Sequence, residues 1–300
     1  VYIIFRQYGK KIHVIRLKKL RKVNMKKRKI KWKNIILLFL GLICLSVFCY
    51  SSYRIINRLK QKSDTNKLIA NINSQVEIKE DTNVEPVIPD DANMNQEEKI
   101  NYYYEYLKVP FISVDFTNLK EINNDVKGWL NVVGAGVNYP YVQTTDNKYY
   151  LTKSFDKNNN EGGWVFLDYR NNPDNTDKNT IIYAHGGLSF AMFGPLKKLY
   201  DSNEWFLNKD NHYIKIATEN SSFVYKVFSL YVIDTTSDYL KINFDTDNEY
   251  KDFLETITNR SHYKFDTDVD TNNRIITLST CYNKKKKLVI HAKLIKETKR

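Results

Sequence analysis

The sequence predicts a mostly β fold with inserted helices, built as an eight-stranded barrel. Three observations carry this. From about Val109 onward, eight short runs rich in β-branched and aromatic residues are separated by turn-forming residues. The helical patterns between them do not alternate regularly with the strands, which argues against βαβ units. All eight runs fall within about 190 residues, so strands that close on one another best hide their apolar faces.

The elements follow in chain order. Residues 1–34 hold 14 Lys/Arg and no Asp/Glu, which leaves 33 Lys/Arg against 34 Asp/Glu for the rest of a chain whose formal charge is +13. The basic excess is therefore a tail property, and nucleic-acid binding by a folded groove is disfavoured. Translation is expected to start at Met25, ahead of Lys26, Lys27, Arg28 and Lys29, so residues 1–24 are expected to be untranslated. Residues 35–53 carry no charge over 19 positions, and about 20 such residues span a bilayer as a helix. The basic flank keeps the N-terminus in the cytoplasm and puts the rest outside the cell. A cleaved signal peptide is the rival, but the run is long and no small-residue cleavage site follows it. Residues 54–95 are polar and without sustained period, and they read as an extracellular stalk. The remaining residues, 96–300, form the folded domain.

Within that domain the domain's first helix is expected over 95–107, where Ile100, Tyr103, Tyr104 and Leu107 share a face. Strands are expected at about 128–133, 138–143, 163–167, 180–185, 212–217, 222–233, 273–281 and 287–295. Further helices are expected at about 115–126, 146–152, 193–201 and 248–259. The last lies between the sixth and seventh strands. Its Tyr250, Phe253, Leu254 and Ile257 fall on one face, with Asp245 and Asp247 as candidate caps.

Two strand ends carry the residues suited to chemistry. Cys281 ends the run Arg274 to Thr280 and is the only cysteine beyond the first 50 residues. A lone thiol there is either apolar filling or a nucleophile. Exposure to an oxidising compartment and the following Lys284 to Lys287 favour the second reading. His185 ends the run Thr180 to Ala184 and precedes Gly186 and Gly187, which let the chain turn and leave the imidazole at a rim. A thiol needs such a base near neutral pH.

The stretch Thr277 to Cys281 resembles the strand-and-cysteine signature of the sortases. The order also agrees, with the histidine on an earlier strand. Asn138 to Gln143, Gly163 to Arg170, Asn179 to His185 and the helix at 248–259 resemble class B of that family, over roughly residues 95–300. The resemblance implies a membrane-anchored cysteine transpeptidase with no metal or organic cofactor. Cys281 would attack the carbonyl of Thr in a C-terminal sorting motif of a surface protein. His185 would be general acid and base, and a peptidoglycan-precursor amine would take the acyl chain. The resemblance also implies a substrate groove with Asn147, Leu151, Thr235, Tyr239, Leu240 and Ser279. A papain-type protease is disfavoured because its cysteine precedes its histidine.

The chain departs from the family at one point. Sortases carry an arginine before the strand that follows the cysteine, and Lys287 stands there. An arginine offers a planar fork to an oxyanion and a lysine only a mobile point charge. Three readings stay open: Lys287 fills the role, Arg274 or Arg170 reaches in, or the domain is a weakly active or inactive scaffold that binds sorting peptides or pilus components.

Overall fold

The computed structural model describes residues 31–81, 108–187 and 191–299. Chain contacts divide it into two units, one ending at Ile56 and one beginning at Asn57. Helix α1 spans Trp32–Gln75. Its first part contains an 18-residue window of mean hydropathy 2.4 with none of it buried, a length and composition that fit a membrane anchor or a signal sequence.

The later part of α1 departs from the expected stalk. Thr65, Leu68, Ile69, Ile72 and Val76 recur at helical spacing and face the core, with Thr65 and Ile72 almost wholly buried. Lys60, Lys62 and Asp64 just ahead of it, Lys67 within it and several Asn residues around it hide this stripe from a composition scan. Strand β1 (Ile78–Asp81) then pairs antiparallel with β2 (Phe111–Val114), two strands the sequence reading did not anticipate. Residues 57–81 thus belong to the folded unit. The rest of the expected stalk and the helix expected over 95–107 lie outside the described residues.

All eight expected strands form. They are β3 (Val126–Val132), β4 (Val137–Val142), β5 (Phe166–Leu167), β6 (Asn179–Tyr183), β7 (Tyr213–Thr218), β8 (Ser221–Asp234), β9 (Ile275–Cys281) and β10 (Lys286–Lys299). They close a barrel in the order β10-β8-β7-β3-β4-β5-β6-β9. The β4–β5 and β6–β9 pairs are parallel and the others antiparallel. Trp129, Tyr141, Phe155 and Trp164 are among the largest side chains buried in this unit. Strand β5 is shorter than expected because Gly163 takes φ +59 and Trp164 N–H turns back to the Tyr150 carbonyl.

The helices are shorter than their patterns suggested, except one. Helix α2 covers Thr117–Ile122, a single 3-10 turn covers Tyr149–Leu151, and α3 covers Lys197–Asp201. A fourth, α4 (Glu204–Leu207), was not anticipated. Helix α5 (Asp247–Asn259) lies between β8 and β9, the sixth and seventh barrel strands, as expected. Its cap is Thr246, whose Oγ1 accepts from Glu249 N–H at 3.2 Å, and not Asp245 or Asp247. Thr246 wins because its backbone is extended while Asp247 is already helical. Tyr250, Leu254 and Ile257 pack on Phe228, Tyr231, Tyr239, Ile275 and Val289, so α5 covers the outer face of β8, β9 and β10.

A buried polar chain crosses that face. Thr277 Oγ1 donates to Asn179 Oδ1 at 2.7 Å. Having spent its one proton, it must accept from His291 Nδ1 at 2.9 Å. His291 Nε2 is then the acceptor for Tyr231 O–H at 2.9 Å. The imidazole is neutral, in its Nδ1–H tautomer. Burial, with a smaller contribution from the Arg260 charge, lowers its pKa to about 3. Four neighbouring strands, β6, β9, β10 and β8, are tied by this chain.

A pH dependence follows. The unfolded imidazole takes a proton near pH 6.5 and the folded one only near 3. Between those values the unfolded state binds more protons, so stability falls as pH drops below about 6.5. From pH 7 to pH 5 this site is expected to remove about 2 kcal/mol. Denaturant titrations at both pH values should show that loss in the wild type, and His291→Gln should lack it.

Candidate active site

Strand β9 lies between β6 and β10, and this placement assembles the site. Strands β6 and β9 are parallel, with Tyr183 opposite Ser279. Two residues further along each strand come His185 and Cys281, which therefore leave the barrel at the same rim. Thr280 Oγ1 holds the two ends together by donating to the Ala184 carbonyl at 2.7 Å. Gly186 completes the approach. A Cβ there would lie 2.3 Å from the Cys281 carbonyl oxygen and 2.8 Å from Thr280 Oγ1, so only glycine fits.

On the other side, antiparallel register sets Lys287 directly opposite Cys281. Such pairs share a face of the sheet, and Lys287 Nζ lies 3.1 Å from Cys281 Sγ. The thiol is partly exposed. The turn between them is short: Asn283 Oδ1 accepts from Lys285 N–H and Lys286 N–H at 2.9 Å each.

The other two cations considered for this role are held elsewhere. Arg170 forks onto Asp168, with Nε to Oδ1 at 2.9 Å and Nη2 to Oδ2 at 2.8 Å, and also reaches the Leu240 carbonyl. Arg274 precedes β9, seven residues from Cys281, or about 23 Å along an extended strand. It binds the Asn175 carbonyl and Glu297.

His185 Nε2 donates to the Leu151 carbonyl at 2.8 Å. That bond orients the ring and leaves Nδ1 for proton transfer. Among the described residues the imidazole and the thiol are not bonded to each other; they stand at the same rim. The Leu151 carbonyl is itself held by a closed loop. Asn160 N–H donates to the Thr152 carbonyl at 2.9 Å and Gly163 N–H to the Asn160 carbonyl at 3.0 Å. The buried Asn160 side chain accepts from Gly162 N–H and donates to Thr65 Oγ1 on α1, at 2.8 and 2.9 Å.

The residues expected to line a groove divide into four places. Tyr239 O–H and Ser279 Oγ are hydrogen-bonded at 3.0 Å, both buried, beside Cys281. Thr235 is exposed and donates to the Lys285 carbonyl at 2.9 Å, beside the β9–β10 turn. Asn147 and Leu240 meet at Asp168 and Arg170, while Leu151 contributes its carbonyl to His185. Asn147 is half-buried, giving Nδ2 to Asp168 Oδ2 and taking Tyr169 N–H on Oδ1.

Asp168 organises that third cluster. Its side chain is wholly buried. Burial alone would raise its pKa, but donation from Arg170, from the Arg170 backbone and from Tyr183 O–H holds it below the usual carboxylate value. Neither Asp168 nor Asn160 was singled out by sequence reasoning. The signals were present: an Asp two residues before an Arg at a strand end, and an Asn ahead of Gly162 and Gly163. Among the described residues, no group of three or more His, Cys, Asp or Glu side chains could hold a metal ion. Thiol, imidazole and ammonium at one rim can form, stabilise and resolve an acyl-thioester.

Comparison with known proteins gives one consistent answer. Residues 130–295 match a family model described as the sortase domain. The chain is 31% identical to sortase B of Listeria monocytogenes over 185 residues, which is 60% of this chain and 74% of that protein. It is 33% identical to sortase B of Staphylococcus aureus over 189 residues, 60% and 75% of the two chains. A structure of sortase B from B. anthracis in complex with AAEK1 superposes with a TM-score of 0.55 at 36% identity, covering 62% of this chain and 84% of that one. The S. aureus sortase B–substrate complex gives 0.55 at 32%, covering 60% and 84%.

Gly163 tests how the imidazole is placed. A Cβ there would lie 2.4 Å from the Tyr150 carbonyl oxygen and 3.0 Å from both His185 Cδ2 and the Leu151 carbonyl oxygen, at a φ that disfavours side chains. Gly163→Ala is therefore expected to cost about 1–3 kcal/mol in denaturant unfolding and to shift the His185 ring resonances. Unchanged resonances would show that the ring is placed by something else.

Proposed function

Because the chain belongs to the sortase family, as a class B cysteine transpeptidase, we propose that Cys281, His185 and Lys287 are its catalytic residues. Cys281 attacks the carbonyl carbon of Thr in a C-terminal sorting motif. His185 Nδ1 gives a proton to the leaving amine and later takes one from the incoming amine. The Lys287 ammonium stabilises the oxyanion of both tetrahedral intermediates. The observation that carries this reading is the 3.1 Å approach of Lys287 Nζ to Cys281 Sγ at the rim where His185 emerges. Arg170 and Arg274, each bound to a carboxylate elsewhere, leave Lys287 as the cation for the role.

The groove runs past Tyr239 and Ser279, with Thr235 on the turn side and Leu151 and Leu240 on the other. Asn147 supports its wall through Asp168. A hydroxyl-rich, aromatic wall suits a peptide containing Pro and Thr. The acyl acceptor is an amine of a cell-wall peptide; one solved sortase B holds a triglycine and another is a substrate complex. The apolar residues 35–53 anchor the chain in the membrane, with the basic flank just ahead of Ile35 inside and the barrel outside.

The test uses the full chain in detergent with a fluorogenic library of pentapeptides containing Pro and Thr, with and without triglycine. Wild type should cleave a subset and join it to triglycine, and Cys281→Ala should do neither. Lys287→Ala should lower kcat by about 10²–10³. Binding without cleavage by the wild type would favour a scaffold that holds sorting peptides. An unchanged kcat in Lys287→Ala would remove Lys287 from the mechanism.

A further inference from the structure

Lys287 differs from an arginine in one chemical respect that matters at 3.1 Å from a nucleophilic sulfur. A guanidinium stays charged at all working pH values. An ε-ammonium that loses one proton becomes an amine with a free lone pair. We propose that Lys287 is itself an acyl acceptor, so that the enzyme transfers part of its acyl-thioester to its own lysine as a stable amide. This rests on Cys281 being the nucleophile.

Three features support the transfer. The first is register. Lys287 is the direct cross-strand partner of Cys281, and the four-residue turn between β9 and β10 fixes the pair. Sulfur and nitrogen must share one tetrahedral carbon in the intermediate, and their resting separation is already close to that arrangement. The second is charge. Among the described residues the partner of the Lys287 ammonium is the Cys281 sulfur, and no carboxylate pairs with it. Acylation turns that sulfur into a neutral thioester, and Lys284, Lys285 and Lys286 follow in the same turn. The Lys287 nitrogen then stands beside those three like charges with no carboxylate among the described residues to hold it. The third is magnitude. Well-oriented intramolecular groups act at effective molarities of about 10⁵–10⁸ M, so even a small neutral fraction competes with a dissolved amine.

The step balances. The ammonium gives one proton to solvent base. The amine lone pair forms the C–N bond at the thioester carbonyl. The intermediate collapses with the C–S pair returning to sulfur, and the second amine proton passes to His185 Nδ1. The products are an amide on Lys287 and a free Cys281 thiolate. No oxidant or further reactant is needed.

The experiment loads the sulfur without relying on any sorting motif. The full chain in detergent is mixed with the thiophenyl ester of N-acetylthreonine, which acylates Cys281 by thioester exchange. The product is split, half is treated with hydroxylamine, and both halves are mapped by mass spectrometry. The expected result is one acyl group on Lys287 that survives hydroxylamine, absent in Cys281→Ala. In Lys287→Arg the only Cys281-dependent adduct should be hydroxylamine-labile. With a cleaved peptide, Lys287→Arg should complete at least about tenfold more turnovers per chain before stopping. A wild-type adduct that is entirely hydroxylamine-labile overturns this inference and leaves the transpeptidase reading intact. A Lys287 amide that persists in Cys281→Ala overturns it too, by showing direct labelling. Failure of Cys281 to acylate at all sinks both readings.

Discussion

The structure depends on the pairing of β9 with two neighbours of opposite direction. Parallel pairing with β6 brings two strand C-termini to one rim, which is where the thiol and the imidazole are needed. Antiparallel pairing with β10 returns the chain so that Lys287 stands opposite Cys281. A slip of one residue in either ladder would turn one of the three groups to the wrong face. The ladder is therefore fixed at several points. The chain from Asn179 through Thr277 and His291 to Tyr231 pins four strands from outside, while Thr280 pins β9 to the backbone of Ala184 at the rim.

Around that ladder the molecule spends buried polar groups on position and not on catalysis. Asp168 gathers Arg170, Asn147 and Tyr183 into one hydrogen-bonded cluster at the end of β5. Arg260, at the end of α5, holds Asp238 in the segment that carries Tyr239 and Leu240. Only the Asp168 side of the first pair is buried and the second is largely exposed, so neither contributes much net stability. Their value here is geometric, since each fixes a loop that reaches the site.

Much of this was legible in the sequence, for definite reasons. Barrel strands such as Ile275–Cys281 announce themselves because both faces are covered, one by the core and one by α5, so nearly every residue is apolar or hydroxylic. Cys281 and His185 stood out as chemically able residues at strand ends. Lys287 could be named from position, but its 3.1 Å contact needed the register. What stayed hidden was relational. The inner stripe of α1 was masked by the charges ahead of it and the polar residues between its members. Asn160 looked like one more polar loop residue until its amide was seen bridging Thr65 and Gly162. Thr246 lost to two aspartates as a cap because backbone conformation, not side-chain type, decided the matter.

The later part of α1 carries a practical consequence. Residues 57–81 read like a spacer, and a natural way to obtain a soluble fragment is to begin at residue 96. That trim removes Thr65, Ile72 and the whole of β1. It strips β1 from Phe111–Val114, and loss of a strand partner beside an apolar strand is a known seed for aggregation. It also deprives the Asn160 amide of its hydroxyl, one step from the carbonyl that aims His185. A shortened protein of that kind would underreport the enzyme, and the better place to sever the chain is ahead of Asn57.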